Sequence, residues 1–157
     1  MYNKSLGDHL YYVIFIDDHS RKTWLYLLKK KDEVFEKFKE FRFEAETLTE
    51  RRIKTLRFDN CGEYTSKELI AYCKEAGIKR ELIVPYSLKQ NEAAERKNNT
   101  IEEGIRTMIF DQDLPKFLWG EAIMTTIYIQ NRSPHRILEN MAPEEAFTRK
   151  KPSVDHL

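Results

Sequence analysis

RFDNCGEY at residues 57–64 and QNEAAERKN at residues 90–98 are the two stretches from which the fold of this chain follows. Each contains one carboxylate at the boundary of a predicted element. Asp59 ends an alternating apolar run, residues 53–58, that predicts a strand, and Glu95 lies in the first turns of a long segment with helical periodicity. Thirty-five residues, 60–94, separate the two acids. We therefore expect Asp59 and Glu95 to meet at one edge of a sheet.

A close pair of carboxylates predicts a bound cation or a shared proton. Two like charges about 4 Å apart repel by about 4 kcal/mol when the effective dielectric constant is about 20. Carboxylate oxygens are also the ligands that Mg²⁺ prefers. Two such metals, about 3.5–4 Å apart, can stabilise the attacking and leaving oxygens when a phosphodiester bond is exchanged.

The two stretches resemble the catalytic core of retroviral and retrotransposon integrases, most closely the copia-type LTR retrotransposon branch. The usual sequences there are RSDNGGEY and QNGVAERKN. IDDHSR at 16–21 and NRSPH at 131–135 are also typical of this family, and the resemblance extends from about Ser5 to Leu157. It implies an α/β, RNase H-like three-layer fold with a mixed sheet flanked by helices, in one catalytic core domain that spans residues 1–157. It further implies DNA integration by a Pol polyprotein, with Mg²⁺ or Mn²⁺ held by Asp59 and Glu95 as the catalytic residues.

A third acid of the family has no counterpart in the chain. In the family an aspartate on the first strand bridges both metals, whereas residues 1–7 of this chain resemble the loop after that strand. We therefore expect an N-terminally truncated domain that lacks its first strand and transfers DNA strands poorly. Asp17 and Asp18 are alternative ligands, but they follow an apolar run at a predicted hairpin turn, where Asp bonds to its own backbone. We favour the turn.

Glu92 occupies a position that is normally glycine in the family. Its carboxylate would either supply a further metal ligand or stiffen the preceding loop. We favour the second interpretation, because a glycine position usually reflects a demand on the backbone.

The resemblance implies that a loop at 85–91 and the start of the following helix contact DNA, both the element ends and the target. Cations and amides there would hold the phosphate backbone without reading its sequence. An ordinary loop and an exposed helix surface are the alternative. The candidate DNA-binding residues are Asn60, Tyr86, Lys89, Gln90, Asn91, Arg96, Lys97 and Asn98.

Composition limits the possible partners and compartments. The net charge is only +1, so attraction to DNA must come from local patches. The two cysteines form no Cys-x-x-Cys motif, which excludes the zinc-binding N-terminal module of full-length integrases from this chain. No apolar run reaches about 18 residues, which predicts an intracellular chain with no membrane partner. The resemblance adds an integrase homo-oligomer and a nuclear location, cytoplasmic before import.

Periodicity and capping residues predict the elements between these stretches. Strands are expected at 11–16, 24–28, 53–58 and 78–84. A helix after the N-cap Asp32 would bury Val34, Phe35, Phe38, Phe41, Ala45 and Leu48. Helices are also expected from the Thr65–Glu68 capping box to Gly77, at 92–111 (burying Ala94, Asn98, Ile101, Ile105 and Met108), at 114–130 (burying Leu118, Trp119, Ala122, Ile123 and Ile127), and from Pro143.

The sequence is also compatible with two other hypotheses about the domain. The domain could be catalytically inactive and act only by docking to nucleic acid or to another integrase. It could also be a decayed fragment that folds poorly.

Overall fold

The computed structural model describes residues 3–58, 66–82 and 88–156, with residues 88–94 described by their backbone alone. These residues form two compact units, Met1–Lys29 with Asn98–Leu157, and Lys30–Lys97. The elements in chain order are β1 (Tyr11–Ile16), β2 (Thr23–Leu28), α1 (Val34–Thr49), β3 (Thr55–Phe58), α2 (Lys67–Ala76), β4 (Lys79–Leu82), α3 (Leu88–Ile105), α4 (Trp119–Arg132) and α5 (Pro143–Thr148). A π-helical segment, Arg106–Asp111, continues α3.

An antiparallel hairpin of β1 and β2 organises the first unit, as predicted. Ile16 pairs with Thr23 and Tyr11 pairs with Leu28. Asp17 shapes the turn, because its Oδ2 accepts hydrogen bonds from the Ser20 backbone N–H at 2.9 Å and from the Ser20 hydroxyl at 2.6 Å. The turn hypothesis for Asp17 is therefore confirmed.

The core of the first unit lies where α3, its π-helical continuation and α4 pack together. Apolar burial of this kind is the main favourable term in folding. Tyr12 lies against this core, and burial together with the nearby Glu102 carboxylate raises the pKa of its phenol above 10.0. The buried core residues are Ile101, Ile105, Ile109, Trp119, Ala122, Ile123 and Ile127.

Gly104 lets α3 approach α4 closely within this core. A Cβ added at Gly104 would lie 2.5 Å from Oγ1 and 2.7 Å from Cγ2 of Thr126. Thr126 has little room to move, because its hydroxyl donates a hydrogen bond to the Ala122 carbonyl at 2.8 Å.

Two buried polar contacts join β2 to distant parts of the first unit. Asn131 accepts from the Thr23 N–H through Oδ1 at 3.0 Å and donates to the Thr23 carbonyl through Nδ2 at 2.8 Å. The Lys22 ammonium, 3.1 Å from the Glu144 carboxylate, also lies 4.8 Å from the centre of the Trp24 ring. Trp24 in turn packs edge-on against Phe147 of α5.

The second unit contains a parallel pair of strands, β3 and β4, in register from Thr55 with Lys79 to Phe58 with Leu82. Leu56 and Phe58 are buried. The described residues thus contain an antiparallel pair and a parallel pair, the two kinds of pairing that a mixed sheet combines, arranged as two two-stranded sheets.

Aromatic and cationic side chains link α1 to α2 in this unit. Phe38 is 1% exposed and packs edge-on against Tyr72, whose hydroxyl accepts a 3.0 Å hydrogen bond from Arg42. The same arginine is ion-paired with Glu46. Burial raises the pKa of the neighbouring Cys73 thiol.

Several predicted details of the helix ends are wrong. Asp32 lies in a 3₁₀ turn before α1 and does not cap it; Glu33, the N-cap, forms no side-chain cap bond. Ser66 caps α2 by accepting from the Leu69 N–H at 3.2 Å, whereas Thr65 lies outside the described residues. Gly77 ends α2 with φ of +71°, as predicted.

Two positions of the predicted apolar stripes are also wrong. Leu48 is 54% exposed, because the last turn of α1 extends past its buried contacts. Asn98 is exposed, and in the described part of α3 the buried stripe begins at Ile101. No helix among the described residues combines the length and hydropathy needed to cross a bilayer.

Candidate functional site

Asp59 directly follows the carboxyl end of β3, which ends at Phe58. Because β3 and β4 are parallel, the residues after both strands leave from the same edge of this pair. Asp59 and Asn60 lie outside the described residues. Their predicted roles at this edge therefore stay predictions.

Glu95 lies in α3 and is exposed to solvent. Arg96 and Asn98 are exposed as well, and Lys97 is half-buried. Successive residues of an α-helix point about 100° apart. Glu95, Arg96 and Lys97 therefore project in three directions from α3.

The loop predicted at 85–91 is wrong for residues 88–91, because α3 begins at Leu88. Lys89, Gln90 and Asn91 thus have helical backbone, and so does Glu92, while their side chains are outside the described residues. Tyr86 lies entirely outside them. The loop assignment of residues 88–91 was wrong because a Lys-Gln-Asn sequence also suits the exposed first turns of a helix.

The alternative metal ligands are engaged elsewhere. Asp17 accepts its two hydrogen bonds from Ser20, and Asp18 pairs with Arg21 at 3.1 Å on the surface. In the part of the chain that the structure describes, no three His, Cys, Asp or Glu side chains are grouped to hold a metal. Carboxylates have the right donor chemistry for Mg²⁺, so the fit of a metal rests on Glu95 together with Asp59.

A group of cations that sequence reasoning did not single out lies at the amino ends of β3 and β4. Arg51, Arg52, Lys54 and Lys79 are all exposed. The run RRIKTLR at 51–57 is the signal that could have identified most of them.

The sequence matches the family model of the integrase core domain over residues 2–87. Three curated relatives align over nearly the whole chain. The retrovirus-related Pol polyprotein from transposon TNT 1-94 of Nicotiana tabacum is 47% identical over 154 residues, which are 98% of this chain and 12% of the relative. Those from transposons RE2 and RE1 of Arabidopsis thaliana are 33% and 34% identical over 153 residues, 98% of this chain and 10% of each relative. The chain therefore spans about a tenth of the length of these relatives.

Two solved structures share the fold at low sequence identity. A chain of the simian T-cell lymphotropic virus intasome, solved with PP2A regulatory subunit B56 gamma, has a TM-score of 0.66 and 15% identity, over 93% of this chain and 52% of that chain. The HTLV-2 integrase catalytic core domain, in complex with magnesium in a trimeric form, has a TM-score of 0.62 and 18% identity, over 85% of this chain and 82% of that chain. The predicted α/β, RNase H-like fold class is thereby confirmed.

Proposed function

Because the chain belongs to the integrase core domain family, we propose that it is the core of a retrotransposon Pol polyprotein that joins element DNA to target DNA. The observation that carries this proposal is the match of the integrase core model over residues 2–87, which include RFDNCGEY. The 47% identity to the tobacco Pol polyprotein extends the likeness through QNEAAERKN to the last part of the chain.

Asp59 and Glu95 are the residues that would hold Mg²⁺ or Mn²⁺. Glu95 lies at the surface of α3, and the related HTLV-2 core was solved in complex with magnesium. When bound, the metal supplies stabilisation of the negative charge on the attacking and leaving oxygens. The chain itself would position the DNA through Asn60, Tyr86, Lys89, Gln90, Asn91, Arg96, Lys97 and Asn98.

The burial of β1 supports a further strand beside it. Val13 and Phe15 are buried and the other four residues are half-buried, so both faces of the strand are covered as in a central strand. Within the described residues, however, β2 is its one strand neighbour. A segment that carries the family's aspartate, fused before Met1, should pair with β1 and raise both thermal stability and manganese-dependent strand transfer.

Oligomerisation and location belong to the same proposal. The structural relatives include an intasome and a trimeric core, which supports a homo-oligomer that holds DNA ends. Joining element DNA to chromosomal DNA places the mature complex in the nucleus, after assembly in the cytoplasm.

A metal titration with matched variants tests the proposal. Mg²⁺ or Mn²⁺ should bind the chain and increase strand transfer, and Asp59→Asn or Glu95→Gln should abolish both effects. Glu103→Gln is the control, because Glu103 is another exposed carboxylate of α3. Equal metal binding by Glu95→Gln and Glu103→Gln would contradict the proposed site.

A docking domain without chemistry is the second candidate function. It would need only a nucleic-acid surface, to which the exposed residues Arg96 and Asn98 of α3 would belong. DNA binding that is unchanged by chelator and by both carboxylate variants, with no strand transfer even after the added strand, would establish it. A cooperative thermal transition would exclude a decayed fragment that folds poorly.

A further inference from the structure

Cations are concentrated at the amino ends of β3 and β4. Residues 51–58 and 79–82, RRIKTLRF and KREL, contain six Lys or Arg residues and one acidic residue, Glu81. The whole chain, in contrast, has 27 basic and 26 acidic residues. The local excess of positive charge therefore stands out against a nearly neutral molecule.

Most of these cations are available to a partner. Arg51, Arg52 and Lys54 are exposed, and no carboxylate among the described residues forms an ion pair with them. Lys79 is 71% exposed and shares Glu81 with Arg57, at 2.9 and 3.0 Å. These contacts lower the pKa of the Glu81 carboxyl, first through Lys79 and then through Arg57. Glu50, directly before Arg51, is the nearest other carboxylate along the chain.

The backbone brings Lys54 next to Lys79, with Arg52 and Arg51 two and three residues before Lys54. The Lys54 carbonyl accepts a 2.8 Å hydrogen bond from the Lys79 N–H, and Thr55 pairs with Lys79 in the parallel ladder. The Ile53 N–H donates to the Glu46 carboxylate of α1 at 3.0 Å, which anchors the segment before β3. Arg51, Arg52 and Lys54 thus lie in a connecting segment that is hydrogen-bonded at Ile53 and Lys54 and leads directly into β3.

We propose that Arg51, Arg52, Lys54 and Lys79, the β3–β4 basic surface, bind the phosphodiester backbone of nucleic acid. The inference rests on the proposed function and adds a second contact with the DNA that it handles. Lys54 lies four residues before Phe58, the last residue of β3, about 13 Å of extended strand, so the surface would hold DNA away from the carboxyl end of β3, which Asp59 follows in sequence. The one aromatic residue of the two segments, Phe58, is buried. The two segments therefore present no exposed aromatic ring to a base, and the surface should bind without reading sequence.

The salt dependence of DNA binding tests this surface. The chain is titrated with random-sequence duplex DNA in EDTA at several salt concentrations, followed by fluorescence anisotropy. Each phosphate contact contributes about −0.9 to the slope of log K against log salt. The triple variant Arg51→Gln/Arg52→Gln/Lys54→Gln should reduce the slope by up to about 2.7 and weaken binding at least about tenfold at low salt.

Two matched variants separate this surface from general charge and from misfolding. Arg149→Gln/Lys150→Gln/Lys151→Gln removes three exposed cations elsewhere and should leave the slope nearly unchanged. Arg51→Lys/Arg52→Lys keeps the charge and should keep the slope. Equal losses in both triple variants, or an unchanged slope in the first, would overturn the proposal. A duplex RNA arm with the same slope loss would support backbone recognition common to both nucleic acids.

The outcome is independent of the carboxylate site. Asp59→Asn and Glu95→Gln should keep the full salt slope in EDTA even if they abolish strand transfer. Failure of the basic surface and failure of the proposed function would therefore give different results.

Discussion

Asn131 and Thr23 are joined by two hydrogen bonds, in which the side-chain amide of Asn131 pairs with both backbone groups of Thr23 at 2.8 and 3.0 Å. The amide thereby acts towards β2 as the peptide group of a neighbouring strand would. Both residues are buried, at 6% and 2% exposure. Asn131 of the NRSPH stretch is therefore a structural residue of the first unit.

Asn131→Ala should lower the free energy of unfolding by at least about 2 kcal/mol, because a buried polar group left without a partner costs about 1–3 kcal/mol. Asn131→Asp retains the acceptor of the Thr23 N–H but places a carboxylate oxygen opposite the Thr23 carbonyl, so at neutral pH it should destabilise the fold at least as much as Asn131→Ala. Denaturant titration measures the free energy of unfolding of the wild-type chain and of both variants. A loss below about 0.5 kcal/mol for Asn131→Ala would mean that water replaces the amide.

Asp17→Ala should destabilise the hairpin without changing manganese affinity. It removes the acceptor of two hydrogen bonds from Ser20, with an expected cost of about 1–3 kcal/mol. Asp18→Ala is the control, since its exposed pair with Arg21 should contribute no more than about 1 kcal/mol. Weaker manganese binding at unchanged stability would instead identify Asp17 as a metal ligand.

Gly104→Ala should destabilise the packing of α3 on α4, although alanine favours helices by about 1 kcal/mol over glycine. The new methyl group would lie 2.5 Å from the Thr126 hydroxyl oxygen, and overpacking of a core costs about 1–3 kcal/mol. The double variant Gly104→Ala/Thr126→Ala should recover most of the loss. Thermal unfolding of the two single variants and the double variant gives the coupling, and additive effects would show that α3 and α4 do not meet here.

Tyr12 should make stability fall in alkaline solution. Its folded-state pKa is raised above 10.0, first by burial and then by Glu102. As pH rises through 10.0, the unfolded chain loses this proton before the folded chain does, so the free energy of unfolding decreases until the folded-state pKa is passed. Below pH 10.0 the contribution is fully present.

Tyr12→Phe tests this prediction. It should flatten the alkaline loss of stability and remove a phenol that ionises above pH 10.0 from a near-ultraviolet absorbance titration. Glu102→Gln should move that ionisation to lower pH by the smaller, electrostatic part of the shift. Titration of Tyr12 together with the exposed tyrosines would contradict the prediction.

Local sequence chemistry predicted the elements better than their polar contacts. The bounds of β1 and the turn at Asp17 followed from an apolar run ended by turn-forming residues, and Gly77 from its tolerance of positive φ. The partners of Asn131 and Lys22 lie 108 and 122 residues away. The periodicity of a sequence does not indicate contacts between residues so far apart. The buried polar contacts of Asn131 and Lys22 were therefore not predicted.

The residues of the candidate site were predicted from the resemblance to family motifs. The helix among them was predicted better than the loop before it. Glu95 lies on the predicted helix, whereas the backbone of residues 88–91 is helical and not a loop. Polar residues in the first turn of a helix have the composition of a loop, and without a described N-cap no local signal separates the two.

The Trp119 indole donates a 2.8 Å hydrogen bond to the Asn3 carbonyl, and Leu6 bonds to the Phe117 carbonyl at 3.1 Å. A peptide or purification tag fused at the amino terminus would therefore join the chain next to the hydrogen bond of Trp119, at the exposed residue Asn3. A short or rigid fusion would strain this junction, whereas a flexible spacer would spare it. Tryptophan emission could report which of these occurs.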